Sequence, residues 1–284
     1  GYPIAYLLST VKNSTRNSLV ILVLMPFWTS FLVRTFAWIV LLGRHGALNE
    51  LLLALGIVDA PVRIIFNFTG VMIGMVHALM PLCVLTMMAV MENIDRNLVS
   101  AASTLGARGG QAFWRVYFPL SLPGVAAGGM LVFITALGFF ITPALLGGAR
   151  ETMIVQVIIF QIHEVLNWGF AGAIAMLLLV SVLVIFFLYD QLLGLSTLSG
   201  ESANEQKKGT IGQIGRWLGS SIINAIGYVC EQGGVLIDIL IPPRADRARR
   251  SGSRITLWII AMTVIAFLCV PAFFVIPVSF TEEG

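Results

Sequence analysis

Charge is what this sequence has least of. Lys, Arg, Asp and Glu make up 11% of its 284 residues, against 58% hydrophobic residues and a mean hydropathy of +0.93. Soluble domains carry about 25% charged residues, so an ordinary water-soluble globule is excluded. Cysteine is sparse. Cys83, Cys230 and Cys269 lie far apart, and Cys83 and Cys269 sit in apolar runs where they read as packing residues, so no disulfide framework is implied. No Gly-x-x-x-x-Gly-Lys-Ser/Thr run is present, so the chain has no nucleotide site of that type. Cys/His clusters with zinc spacing are missing, as is any motif that would anchor a Ser/His/Asp set. No catalytic role, metal, bound cofactor or nucleic-acid partner is expected. The apolar start, Tyr2 to Leu8, has no basic segment before it and does not read as an intact signal peptide. The first residue is Gly1 rather than Met, and the start reads as missing or processed.

Long apolar runs take the place of charge. A hydrocarbon core of about 30 Å needs about 20 apolar residues in a helix. Residues 18–42, 67–91, 120–146 and 170–189 meet that length, as do residues 255–278, and residues 1–10 form a partial span. Backbone polar groups in lipid must be satisfied internally, which favours helices, and no alternating ten-residue pattern suggests a barrel. The expected fold is all-α, a polytopic transmembrane helical bundle.

The loops alternate in charge. One set carries Lys12, Arg16, Arg96, Arg108, Arg115, Lys207, Lys208, Arg216 and the run from Arg244 to Arg254; the other carries only Arg44, Arg63 and Arg150. The positive-inside rule makes the first set cytoplasmic. Residues 45–65 and 148–168 then lie outside, residues 92–119 and 191–253 inside, and the spans alternate consistently. Residues 198–253 are rich in Ser, Gly and charge. Within them Ile211, Ile214, Trp217, Leu218 and Ile222 fall near helical spacing, which fits either a helix on the membrane surface or a solvated linker.

The cytoplasmic stretch from 97 to 124 is the most informative. Ser100, Ala101 and Ala102 open a short helix, and Gly106 breaks it with a tight turn. A second short helix over 111–117 carries Phe113, Trp114 and Tyr117, and Pro119 and Pro123 lead into the next span. Small residues beside exposed aromatics and Arg suit a groove on a partner protein.

This stretch resembles the Glu-Ala-Ala loop of binding-protein-dependent ABC importer permeases. In that family the triplet is followed by Gly and later by a Leu-Pro pair. Here Ala101, Ala102, Gly106 and then Leu122-Pro123 stand in that order, with Ser100 where the family has Glu. Residues 26–38, 136–148 and 167–170 are similar to parts of spermidine/putrescine-type permeases. The resemblance covers roughly residues 1–195, with the unit's first span missing. Residues 255–280 look like the first span of a second unit. The expected organisation is therefore a first permease unit at 1–195, a cytoplasmic linker at 196–253 and the start of a second unit at 254–284, a piece of a fused double permease.

The resemblance implies a small solute, polyamine-like, carried across the inner membrane. It implies two cytoplasmic ATPase subunits that bind the ATP, a second permease unit and a periplasmic solute-binding protein. Ser100, Ala101, Ala102, Leu105, Gly106, Ala107 and Arg108 would dock the ATPase, supported by Phe113, Trp114 and Pro123. Candidates for the solute path are Arg34, His77, Phe139, Phe140 and Thr142. Each also has a packing interpretation: Arg34 as a partner of backbone carbonyls, His77 as a hydrogen-bonded core histidine, and the others as helix contacts. Glu164 is expected near the outer face. The spans carry almost no interior acid, with Glu92 and Asp190 at their ends, so no carboxylate cage for a polyamine is visible. A secondary transporter or channel would explain the spans but not the loop. A membrane scaffold would explain the loop without transport.

Overall fold

The computed structural model describes residues 1–107, 109–148, 150–193, 228 and 246–278. Among them the chain is helical and has no strand. The helices are α1 (Tyr2–Thr10), α2 (Asn13–Trp28), α3 (Phe31–Leu42), α4 (Ala47–Ala54), α5 (Phe68–Glu92), α6 (Arg96–Thr104) and α7 (Gly109–Ala112). A π turn, Phe113–Tyr117, leads into α8 (Phe118–Leu137), followed by α9 (Ile141–Leu146), α10 (Ile154–His163), α11 (Trp168–Leu193) and α12 (Asp246–Val278). Five stretches are long and apolar enough to cross a membrane: Phe31–Ala54, Phe68–Glu92, Gly110–Leu137, Trp168–Tyr189 and Ile255–Phe274. The all-α polytopic class expected from the sequence is therefore the observed one.

Two expected spans are interrupted. Residues 18–42 form α2 and α3, separated by Thr29 and Ser30 in extended conformation. The Thr29 N–H and hydroxyl both turn back to the Pro26 carbonyl, at 3.3 and 2.9 Å, and so end α2. Residues 120–146 are likewise two helices, because α8 stops at Leu137 and α9 begins at Ile141. There the N–H groups of Gly138 and Phe139 bond the carbonyls of Thr135 and Ala136, tighter returns than an α-helix makes. The expected outer loops contain α4 and α10, which sequence reading did not anticipate. Within the expected linker, residues 211–222 lie outside the described residues, and α12 begins at Asp246 rather than near Ile255.

The chain divides into two compact units that interleave along the sequence. The first contains Gly1–Thr10, Val84–Met130 and Ser181–Ile259. Here Gly124 lies against Val90 and the Met87 carbonyl, where a Cβ would sit 2.8 Å from the Val90 side chain. Tyr189 donates its phenol to the Ala126 carbonyl at 2.8 Å, passing over Gly129. Small residues on α8 thus let its neighbours approach closely, the usual device for packing helices in lipid.

The second unit contains Val11–Cys83, Leu131–Val180 and Ile260–Gly284. Its core gathers Trp38, Leu41, Leu42, Ile65 and Leu146, with Phe267 and Phe274 packed on it. Buried Asn49 is the polar clamp. It donates to the Gly43 and Val62 carbonyls at 2.8 and 3.1 Å and accepts from the Val62 N–H at 3.0 Å. Gly46 sits against the end of α3, where a Cβ would lie 2.3 Å from the Val40 carbonyl oxygen. Backbone there cannot yield as a side-chain tip could. Gly46→Ala should therefore destabilise the protein by roughly 1–3 kcal/mol, the usual cost of overpacking. Gly110→Ala, which meets nothing within 4 Å, should not. Paired thermal melts in detergent check this, and equal melting temperatures would contradict it.

Candidate functional site

The stretch that follows α5 is built around α6. Asp95 starts this helix by accepting the Asn97 N–H on its side chain at 2.9 Å. The hydroxyls of Ser100, Ser103 and Thr104 bond back to the carbonyls of Arg96, Val99 and Ala101, at 3.3, 3.0 and 2.8 Å. Ser100 therefore spends its hydroxyl on its own helix, where a Glu would have reached outward. No residue of α6 is buried.

Gly106 ends α6 by a specific geometry. Its φ is +88°, in the left-handed region. The Ala107 N–H bonds the Ala102 carbonyl at 3.0 Å and the Gly106 N–H bonds the Ser103 carbonyl at 3.1 Å. These are the two bonds of a Schellman motif, in which glycine avoids the Cβ penalty of that conformation. Space is not the reason for glycine here, since a Cβ would meet nothing within 4 Å. Leu105, just before the turn, is 89% exposed, the highest value of any large apolar residue described. Leu98 and Ala101 are exposed as well. The three fall at i, i+3 and i+7, so they share one face of α6. Leu98 was not singled out from sequence, although that spacing would have revealed it. Arg108 lies outside the described residues.

The aromatic half of the stretch is not exposed, contrary to expectation. Phe113 packs edge-on against Tyr6 and Trp114, with centroids 5.4 and 5.1 Å apart, and stacks on Tyr117 at 5.8 Å. Trp114 in turn meets Phe118 at 5.0 Å. These rings support the loop from behind, and α6 packs on α7 and the π turn. The separate second helix expected over 111–117 is absent. Instead Phe118 donates its N–H to the Phe113 carbonyl five residues back, and the π turn runs straight into α8. Pro119 explains the wide turn, because it lacks the N–H that would close on Arg115 and its ring needs room at that carbonyl. Pro123 lies inside α8 rather than ahead of it.

One residue of α1 holds both ends of the stretch. The Tyr117 hydroxyl donates to Ser9 Oγ at 3.0 Å, while Ser9 itself donates to the Tyr6 carbonyl at 2.9 Å. The Arg96 guanidinium donates to the Ser9 carbonyl. Tyr2 adds a further tie to Ser121 at 2.9 Å.

The path candidates lie in the second unit. Arg34 is buried, donates to the Thr29 carbonyl at 3.1 Å and lies 5.8 Å from the centre of the Phe31 ring. It satisfies a carbonyl freed by the break between α2 and α3. Phe31 meets Phe139 edge-on at 5.4 Å, which brings Phe139 to the same place. His77 is buried and donates Nε2–H to the Leu268 carbonyl at 3.0 Å, with Trp38 and Phe267 around its ring. Thr142 is buried against Gly74, and Phe140 is the exposed N-cap of α9. Arg34 Nε, Trp38 Nε1 and His77 Nδ1 have no hydrogen-bond partner among the described residues.

Removing the Ser9–Tyr117 bond tests this arrangement. Tyr117→Phe should cost about 1 kcal/mol, as buried hydrogen bonds typically do. Adding Ser9→Ala should cost less than the sum of the two, because both remove one shared bond. Thermal unfolding of the four-member cycle in detergent measures it, and strict additivity would contradict it.

Comparison with known proteins agrees with this geometry. Residues 1–193 match the family described as the binding-protein-dependent transport system inner membrane component. The spermidine/putrescine transport system permease protein PotB of Haemophilus influenzae is 39% identical over 189 residues, which is 66% of this chain and 66% of the relative. PotB of Escherichia coli is 37% identical over 189 residues, 66% of this chain and 69% of the relative. The inner membrane ABC transporter permease protein YdcU of Escherichia coli is 30% identical over 161 residues, 52% of this chain and 51% of the relative. The match thus spans just under two thirds of the Haemophilus protein's length. With the family matched across residues 1–193 and five helices able to cross a bilayer, this chain belongs to the binding-protein-dependent transport system inner membrane component family, as a multi-pass protein of the inner membrane.

Proposed function

We propose that this chain is a permease subunit of an ABC importer for polyamine-like solutes. ATP is hydrolysed on separate cytoplasmic subunits, a periplasmic binding protein delivers the solute, and a second permease unit completes the path. The observation that carries this reading is the exposed face of α6. A leucine that is 89% exposed, set beside a glycine-locked turn and backed by packed rings, suits a docking point for a soluble partner. The polyamine class follows from the likeness to the two PotB proteins.

The mechanism follows from the joints. A push on α6 passes through Arg96 to Ser9 and through the π turn to Tyr117, so α1 and α8 move with the loop. ATP and solute each bias one of two arrangements, and hydrolysis alternates between them. With almost no acid inside the spans, the path meets a polycation through aromatic faces such as Phe139 and Phe140, which attract cations weakly and allow release. Selectivity then rests with the binding protein.

Leu105→Asp separates docking from folding. The site is so exposed that stability should change by less than about 0.5 kcal/mol. Burying an unpaired carboxylate in the partner's groove should lower solute-stimulated ATP hydrolysis about tenfold or more, equivalent to 1.4 kcal/mol. Reconstituted complexes with the binding protein and spermidine measure this. Unchanged stimulation would contradict the reading.

A further inference from the structure

We propose that the outer end of α3 is a binding site for the headgroup phosphate of an anionic phospholipid, held between Arg44 and Arg63. These are two of the three basic residues in the loops that the charge pattern places outside. Both line one half-open cavity of about 320 Å³, walled by Ile39, Leu42, Val62 and Phe66. Among the described residues no carboxylate lines it, although Glu50 and Asp59 belong to the same segment. Neither guanidinium has a hydrogen-bonding or ion-pairing partner among the described residues, and both side chains are exposed.

The cavity is held in shape. Asn49 ties Gly43 to Val62, the residues immediately before Arg44 and Arg63, so its amide fixes the separation of the two walls. Asn67 donates to the Arg63 carbonyl at 2.7 Å. Phe66 has a φ of 58° and is pinned by its N–H to the Leu146 carbonyl at 3.0 Å. A non-glycine residue in that conformation is strained, and such strain gathers at binding sites. Two arginines without partners on one braced cavity suit a phosphate, which accepts their planar forks.

The approach to the cavity identifies the source of the phosphate. Leu32, Phe36 and Val40 are exposed along α3 at four-residue steps, and Arg44 follows just past the end of the helix at Leu42. Residues four apart share a helix face. From Leu32 to Val40 the stripe runs about 12 Å along the helix, comparable with the roughly 15 Å of hydrocarbon in one leaflet. An acyl chain lies along such a stripe with its phosphate at the two arginines. A free phosphate would use the cavity but not the stripe. The polycationic solute would be repelled from both arginines.

Native mass spectrometry of the full complex in mild detergent tests this. The probes are phosphatidylglycerol, phosphatidylethanolamine and inorganic phosphate, applied to wild type, Arg44→Gln/Arg63→Gln and the charge-retaining Arg44→Lys/Arg63→Lys. Wild type should retain phosphatidylglycerol in preference to phosphatidylethanolamine. The Gln pair should bind phosphatidylglycerol about tenfold or more weakly, as loss of charge-assisted hydrogen bonds predicts. The Lys pair should fall between, which shows that the effect is not misfolding. Equal retention by wild type and the Gln pair would overturn the proposal. So would displacement of the lipid by inorganic phosphate at equal concentration. If the Gln pair keeps its lipid but loses stimulation by the binding protein, the arginines dock that protein instead, and the lipid site is refuted.

Discussion

The fold of the stretch from Arg96 to Tyr117 depends on Ser9. Its carbonyl receives Arg96 at the start of α6, and its hydroxyl receives Tyr117 at the end of the π turn. One residue near the end of α1 therefore fixes both ends of a surface loop. Buried hydrogen bonds of this kind are worth little each, about 1 kcal/mol, but they set direction. The rings of Tyr2, Tyr6, Phe113 and Tyr117 fill the space around them and make the joint stiff. What stays outside is the Leu98–Ala101–Leu105 face, with Gly106 closing the helix behind it. A rigid support with an apolar face free for a partner is what a coupling element requires.

The second unit solves a different problem, that of polar groups in an apolar medium. Each break in a membrane helix frees carbonyls, and each buried donor needs one. Arg34 takes the Thr29 carbonyl at the break between α2 and α3. His77 takes the Leu268 carbonyl of α12. The Cys269 thiol reaches the Leu22 carbonyl at 3.7 Å. The last two contacts tie α12 to α5 and α2 within that unit.

Much of this was legible in the sequence. Apolar runs of the right length gave the helix class, and Ala101, Ala102 and Gly106 located the loop. The helix breaks were not legible, because a window of apolar residues reads alike whether continuous or split. Pro26 hinted at the first break, but prolines 81 and 123 lie inside unbroken helices, so proline alone does not decide. The aromatics of the loop were misjudged as exposed. Their partners, Tyr2 and Tyr6, are more than a hundred residues away, and no local pattern reports such a contact. Asn49 was missed for the same reason, since its value lies in joining Gly43 to Val62.

The central claim is that the exposed face of α6 meets the ATPase. Its most direct test is a single cysteine at Ala101 in a background without the native cysteines, cross-linked in the assembled complex. The account predicts an adduct with the ATPase subunit whose yield changes with bound nucleotide. An Ala101→Cys chain that stays freely reactive toward soluble thiol reagents in the complex, and forms no adduct with that subunit, would contradict it.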